Sequence, residues 1–254
     1  MRYSGSKRRF MKELLPFIMN GTDNNTVFFD CFGGGMNVIS EIPSKNKVAC
    51  DTNYYIIDLW TKIRDNGLDS LELPKNSDDL TFALYEDIRQ SYLNNDNRYC
   101  DYLIGFVGSA CSYGGAWFNG YAHFNPNKNE DHIKEAYNGL KKQVETFKYL
   151  DSTAFWWRSY HDLGNEIKIP ENSVLFCDPP YMGTKKYESD FDHFVFWHWV
   201  RQKSIDGYKV LVTEYNAPDD FKCIWQAKKK DGMGTTKTGN KQNTKIEKLF
   251  VLNP

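Results

Sequence analysis

The sequence lacks several features, and each absence narrows its class. Its six cysteines, at positions 31, 50, 100, 111, 177 and 223, form no C-x-x-C pair and no paired metal-ligand spacing. They read as reduced thiols of a cytosolic protein, and no metal is expected. No run of 18 apolar residues and no signal-peptide apolar core occurs, so the expectation is a soluble chain not exported by the usual route. The net charge of −1 lacks the basic excess of an indiscriminate polyanion binder. His193 and His198 are spaced five apart, which does not put them on one helix face, so they read as ordinary helix residues.

What is present is unevenly distributed. Aromatic residues make up 16% of the 254 residues, more than a small core needs, so some rings are expected on a binding surface. Residues 1–12 hold Arg2, Lys7, Arg8, Arg9 and Lys12 with no acid, and residues 227–248 hold seven lysines, Lys228, Lys229 and Lys230 among them, against two acids, a net of +5. Such segments on a neutral protein suit phosphate contacts, although an ordinary solvated loop would read the same way.

Three apolar runs end in an aspartate: Val27–Asp30, Lys47–Asp51 and Val174–Asp178. Each reads as a buried strand, and in a parallel sheet the three carboxylates would share one edge, where open α/β sheets place their ligands. Cys31-Phe32-Gly33-Gly34-Gly35 follows the first, with a helix expected from Met36. A glycine loop there lets a ligand approach the backbone, though a plain tight turn looks the same. Asp51, about 20 residues further on, suits the ribose hydroxyls of an adenosine-containing cofactor. After the third run come Pro179, Pro180 and Tyr181. Asp178 and a backbone carbonyl fixed by the prolines could accept the two hydrogens of an amine conjugated to a nucleobase, with the Tyr181 ring as a stacking face. The alternative is a rigid strand-ending turn.

Further helices are expected at Phe10–Ile18, Ile56–Ile63, Tyr102–Val107 and 131–150. Another begins near Asp192 as N-cap, carrying Phe194, Trp197, Val200 and Arg201. Further strands are expected at Thr153–Arg158, Lys209–Tyr215 and Glu247–Leu252, with a polar loop at 187–192 and a basic loop at 227–246. Residues 65–150 break the β-α rhythm and read as an insertion with its own small helical core. Its loop Ser112–Tyr121 carries Tyr113, Trp117, Phe118 and Tyr121, rings that either stack on nucleic acid or cover the core.

Taken in order, these motifs resemble the Dam-type DNA adenine methyltransferases, especially the short phage-encoded forms, over nearly all of the chain except the insertion. The resemblance implies an S-adenosylmethionine-dependent methyltransferase fold, with a Rossmann-like, mostly parallel sheet. Residues 1–64 and 151–254 would form the catalytic and cofactor-binding domain, and 65–150 a helical target-recognition insertion. Tyr3 and Lys7 match the family's amino-terminal cofactor motif, and Asp30, Phe32, Gly34 and Gly35 its first loop around S-adenosylmethionine. Asp51 matches the acid on the ribose. Asp178, Pro179, Pro180 and Tyr181 match the catalytic motif, with Asp178 also close to the cofactor's methionine moiety. Met36 stands where many members have glycine or alanine, which implies weaker cofactor binding, and Tyr3 where many have tryptophan.

The implied activity is transfer of a methyl group to the 6-amino group of adenine in a specific duplex DNA sequence. Arg8, Tyr113, Trp117, Phe118, Tyr121, Lys228, Lys229 and Lys230 would meet the DNA. The alternatives are a cytosine 4-amino methyltransferase and a catalytically inactive DNA-binding relative. The expected partner is double-stranded DNA, with no membrane. The expected state is a monomer or weak dimer in a bacterial host cytoplasm, near the nucleoid, in restriction–modification or a phage context.

Overall fold

A computed structural model describes residues 1–125, 129–182, 191–228 and 246–253. It divides into two compact units, Met1–Tyr160 and His161–Pro254. No helix among the described residues is long and apolar enough to cross a membrane.

In the first unit, α1 (Met11–Met19) precedes β1 (Val27–Asp30), β2 (Lys47–Asp51) follows, and β3 (Thr153–Trp157) closes the unit. The order is β3-β2-β1 and both pairings are parallel, with Asp30 opposite Ala49 and Asp51 opposite Trp157. β1 and β2 are nearly continuous apolar runs because both faces of a parallel sheet are covered.

The helix expected from Met36 does not form. Met36 has φ 56°, a left-handed conformation that an α-helix cannot contain. The side-chain amide of Gln143 donates to the Gly35 and Met36 carbonyls, and the Met36 carbonyl also accepts from the Ser40 amide. Only the short turn Ile39–Glu41 is helical there, and it is a 3-10 turn.

Between β2 and β3 run α2 (Tyr54–Asn66), α3 (Phe82–Asn94), α4 (Asp101–Ser109) and α5 (His132–Thr146). Asn53, Thr81 and Asp131 cap α2, α3 and α5 by accepting first-turn amides, the standard use of these side chains at helix starts. Ile56, Leu59, Trp60 and Ile63 of α2 are buried, and the Trp60 ring stacks on Phe155 of β3. α4 crosses α2 so closely that a Cβ on Gly105 would lie 2.2 Å from the Tyr55 carbonyl oxygen.

In the second unit, β4 (Ser173–Cys177) is wholly buried and leads to α6 (His193–Ile205), then β5 (Lys209–Glu214), β6 (Phe221–Lys228) and β7 (Ile246–Leu252). The order is β4-β5-β7-β6, with β4–β5 parallel and β7 antiparallel to both neighbours. β6 was not expected from the sequence. It is an edge strand with a bulge between Cys223 and Trp225 and little buried surface, so its side chains alternate only weakly. It absorbs Ala227 and Lys228 from the expected loop.

α6 begins at Asp192 as expected, but its buried face is Phe196, Trp197, Trp199 and Val200. Phe194 is 82% exposed, since at 100° per residue it lies on the far side from Phe196. Arg201 forms a two-pronged ion pair with Asp220 at the surface.

Gly105→Ala tests the α2–α4 contact. Its methyl group would meet a backbone oxygen that only a helix shift can move, so the variant should lose about 1–3 kcal/mol of stability or more. Urea unfolding reads this, and an unchanged midpoint would mean that the two helices are further apart.

Candidate active site

In the first unit, the turn after β1 is built on amide hydrogen bonds to β2. The Gly33 amide donates to the Cys50 carbonyl at 2.7 Å, and the Gly34 amide to Asp51 Oδ2 at 2.7 Å. Asp51 Oδ1 accepts from the Asn53 amide at 2.8 Å. Asp51 thus ties the first loop to the end of the second strand. Burial pushes its carboxyl above the usual range, against the pull of the Asn53, Gly34 and Thr52 amides.

Tyr3 packs over the same loop. A Cβ on Gly34 or Gly35 would stand 2.6 Å from the Tyr3 side chain, and one on Gly115 2.8 Å from the Tyr3 amide nitrogen. Here the glycines make room for a neighbouring segment of chain. Lys7 is buried and its Nζ donates to the Gly5 carbonyl, holding the amino-terminal turn. Asp30 is buried at the end of β1, and Phe32 stacks on Tyr160 at 5.3 Å. The sequence reading passed over Tyr160, and also over Trp157, whose Nε1 donates to the Thr52 carbonyl beside Asp51. The set, a half-buried carboxylate with the half-buried Phe32 and Tyr160 rings and the exposed Trp157, fits the diol and heteroaromatic ring of an adenosine moiety.

The four rings of the glycine-aromatic loop are placed differently from one another. Trp117 stacks on Tyr55, Phe118 stacks on Tyr92, and Tyr121 packs against Tyr85 with its hydroxyl on the Leu80 carbonyl. Tyr113 is 69% exposed. Arg8 is exposed, as is Lys228 at the end of β6, while Lys229 and Lys230 lie outside the described residues.

In the second unit, Asp178 follows directly on β4 and is half-buried. Thr213 of β5 donates its hydroxyl to Asp178 Oδ1 at 2.7 Å. Pro179 is buried, Pro180 half-buried, and the Tyr181 ring meets Tyr215 edge-on at 4.6 Å. The Tyr181 hydroxyl donates to Glu247 of β7. Burial, then Asp178 and Glu247, hold this phenol well above its ordinary value, so it remains a donor at any working pH. Glu214 accepts from the Met182 amide at 3.1 Å and from the Tyr215 amide at 2.6 Å.

Thr213, Glu214 and Glu247 were not singled out from the sequence. A signal existed for Glu214, which ends a buried strand in a carboxylate as the three aspartates do. The whole is rich in acceptors, which suits binding the hydrogens of an amine.

Glu214 is 2% exposed, and burial raises its carboxyl to about 7. A raised carboxyl contributes most to stability below its ordinary value of 4.5, and that contribution is lost as pH rises to about 7. The loss is at most about 3 kcal/mol. Glu214→Gln carries no charge, so its stability should gain on the parent between pH 5 and pH 8 in urea titrations. A pH-independent difference would place the charge in water.

The model of the D12 class N6 adenine-specific DNA methyltransferases matches residues 3–213. Modification methylase StsI of Streptococcus sanguinis is 25% identical over 231 residues, 85% of this chain and 33% of the relative. Type II methyltransferase M.FokI of Planomicrobium okeanokoites is 22% identical over 219 residues, 83% of this chain and 33% of the relative. The chain therefore spans about a third of the length of these relatives. Methyltransferases of this kind in general use S-adenosylmethionine, and a mixed α/β architecture with mostly parallel strands agrees with their fold. From Tyr3 through Thr213, the chain belongs to the D12 class N6 adenine-specific DNA methyltransferase family.

Proposed function

We propose that this chain methylates the 6-amino group of adenine at a specific sequence in duplex DNA. The observation that carries the reading is Asp178, a half-buried carboxylate at the end of β4. One of its oxygens is held by Thr213, and Pro-Pro-Tyr follows it. The lone pair of the adenine amine is delocalised into the ring and attacks poorly. Asp178 accepts one amine hydrogen and the Pro179 carbonyl the other, drawing the nitrogen toward tetrahedral geometry. Tyr181 offers its face to the base once the base has left the helix. The family assignment favours adenine over the cytosine 4-amino group.

Asp51, Phe32 and the Gly34–Gly35 backbone would hold S-adenosylmethionine, with Tyr3 and Lys7 supporting the loop. When bound, S-adenosylmethionine supplies an electrophilic methyl group on a cationic sulfur. Residues 65–150 would read the target, with exposed Tyr113 as the stacking ring and Trp117, Phe118 and Tyr121 as its packed support. Arg8 and Lys228 would meet phosphates. The names of the relatives suggest a restriction–modification setting.

Asp178→Asn should keep the fold and its affinity for S-adenosylhomocysteine but slow single-turnover methyl transfer to unmethylated genomic DNA. A loss of about 2.7–4 kcal/mol of transition-state stabilisation, a hundredfold or more in rate, is expected. Transfer near the parent rate would remove Asp178 from the chemistry. For Asp51→Ala, calorimetric titration with S-adenosylhomocysteine should show binding weaker by about 1.5–3 kcal/mol. Because Asp51 also holds the Gly34 amide, Asp51→Asn is the control: it keeps an acceptor for that amide and should bind better than Asp51→Ala. Unchanged affinity in both variants would mean that Asp51 only braces the loop.

A further inference from the structure

Tyr181 is gripped at the end of its ring that lies furthest from the main chain. Its hydroxyl meets Glu247 Oε2, on a strand 66 residues later in the chain. Glu247 is buried, at 2% exposure. A carboxylate enclosed beside a site for a polyanion has two costs. It gives up hydration, and it repels phosphate. A residue placed there needs a compensating use.

A metal does not supply one, since no group of His, Cys, Asp and Glu among the described residues is arranged to hold an ion. Direct contact with a phosphate is excluded by sign. The use the structure shows is acceptance of the phenol hydrogen, a charge-assisted bond of the stronger kind. Around it the loop is held at two further points, the Met182 amide on Glu214 and the Tyr181 ring edge on Tyr215.

We propose that Glu247 is a positioning residue for methyl transfer: by holding the Tyr181 hydroxyl, it fixes the axis of the ring on which the target base stacks, while the edge contact with Tyr215 limits rotation about that axis. This rests on the function proposed above. Glu247 lies beyond residues 3–213, the part of the chain that the family model matches. A stacking face acts only when its plane is set before the base arrives, and a ring fixed at its Cα alone can tilt. Misplacement by about 1 Å can cost a hundredfold in rate.

The test uses the full chain and four variants, Tyr181→Phe, Glu247→Leu, Glu247→Gln and the double Tyr181→Phe/Glu247→Leu. Single-turnover transfer of labelled methyl groups to unmethylated genomic DNA is measured beside S-adenosylhomocysteine affinity. Tyr181→Phe and Glu247→Leu should each slow transfer by about tenfold or more while cofactor-product affinity stays within about twofold. Glu247→Gln keeps an acceptor oxygen and should restore most of the rate. The double variant should be no slower than the slower single one, because two groups acting through one bond are not additive.

Parent-like transfer by Tyr181→Phe and Glu247→Leu would overturn the inference, as would single effects that multiply in the double variant. If Glu247→Leu does not fold, Tyr181→Phe decides, since it keeps the ring and loses only the hydroxyl. A parent chain that transfers no methyl group at all would remove the underlying function, and this role with it. An active parent with indifferent variants would remove only this inference.

Discussion

A carboxylate at the end of a buried strand must place its charge on the first hydrogen-bond donors the chain offers. Much of this molecule follows from that constraint. Asp51 closes β2 and takes the amides of Gly34 and Asn53, which fixes the path of the loop after β1. Asp178 follows β4 and takes the Thr213 hydroxyl, and Glu214 closes β5 and takes the amides of Met182 and Tyr215. In each case the strand is apolar because both faces are covered, and the acid marks the point where cover ends. Leaving such a group unsatisfied would cost more than one hydrogen bond contributes.

That constraint also explains what could be read from the sequence. β1 and β2 were placed to the residue, and β4 to within one, because a short apolar run ending in aspartate has one comfortable setting; β5, expected to end at Tyr215, ends at Glu214. The helix expected from Met36 does not form. Nothing nearby in the sequence says that Gln143, more than a hundred residues on, takes the carbonyls of Gly35 and Met36. β6 was invisible for a different reason, since in this edge strand only Phe221 is buried and the bulge breaks the alternation. The roles of Thr213 and Glu247 depend on strand pairing across the sheet of the second unit, which no local pattern encodes.

The electrostatics of the second unit pull in two directions. Under the proposed function an amine would need acceptors, whereas a DNA duplex would be repelled by them. Glu214 and Glu247 are enclosed and Asp178 is half-enclosed, and each is held by a hydrogen-bond donor of the chain. Arg8 and Lys228 are exposed.

In the first unit, Tyr3 links parts of the chain that the sequence treats as separate motifs. Its ring lies against Gly34 and Gly35 of the first loop, and its backbone against Gly115 of the aromatic loop, with the Ser4 amide on the Gly115 carbonyl. No other residue type fits at those three glycines without moving Tyr3. Gly34 and Gly115 also have positive φ, so their conformation and their size are required together. The loop expected to hold the cofactor and the loop expected to read DNA therefore share one support. The amino-terminal turn is thereby packed into both loops through a single ring and its main chain.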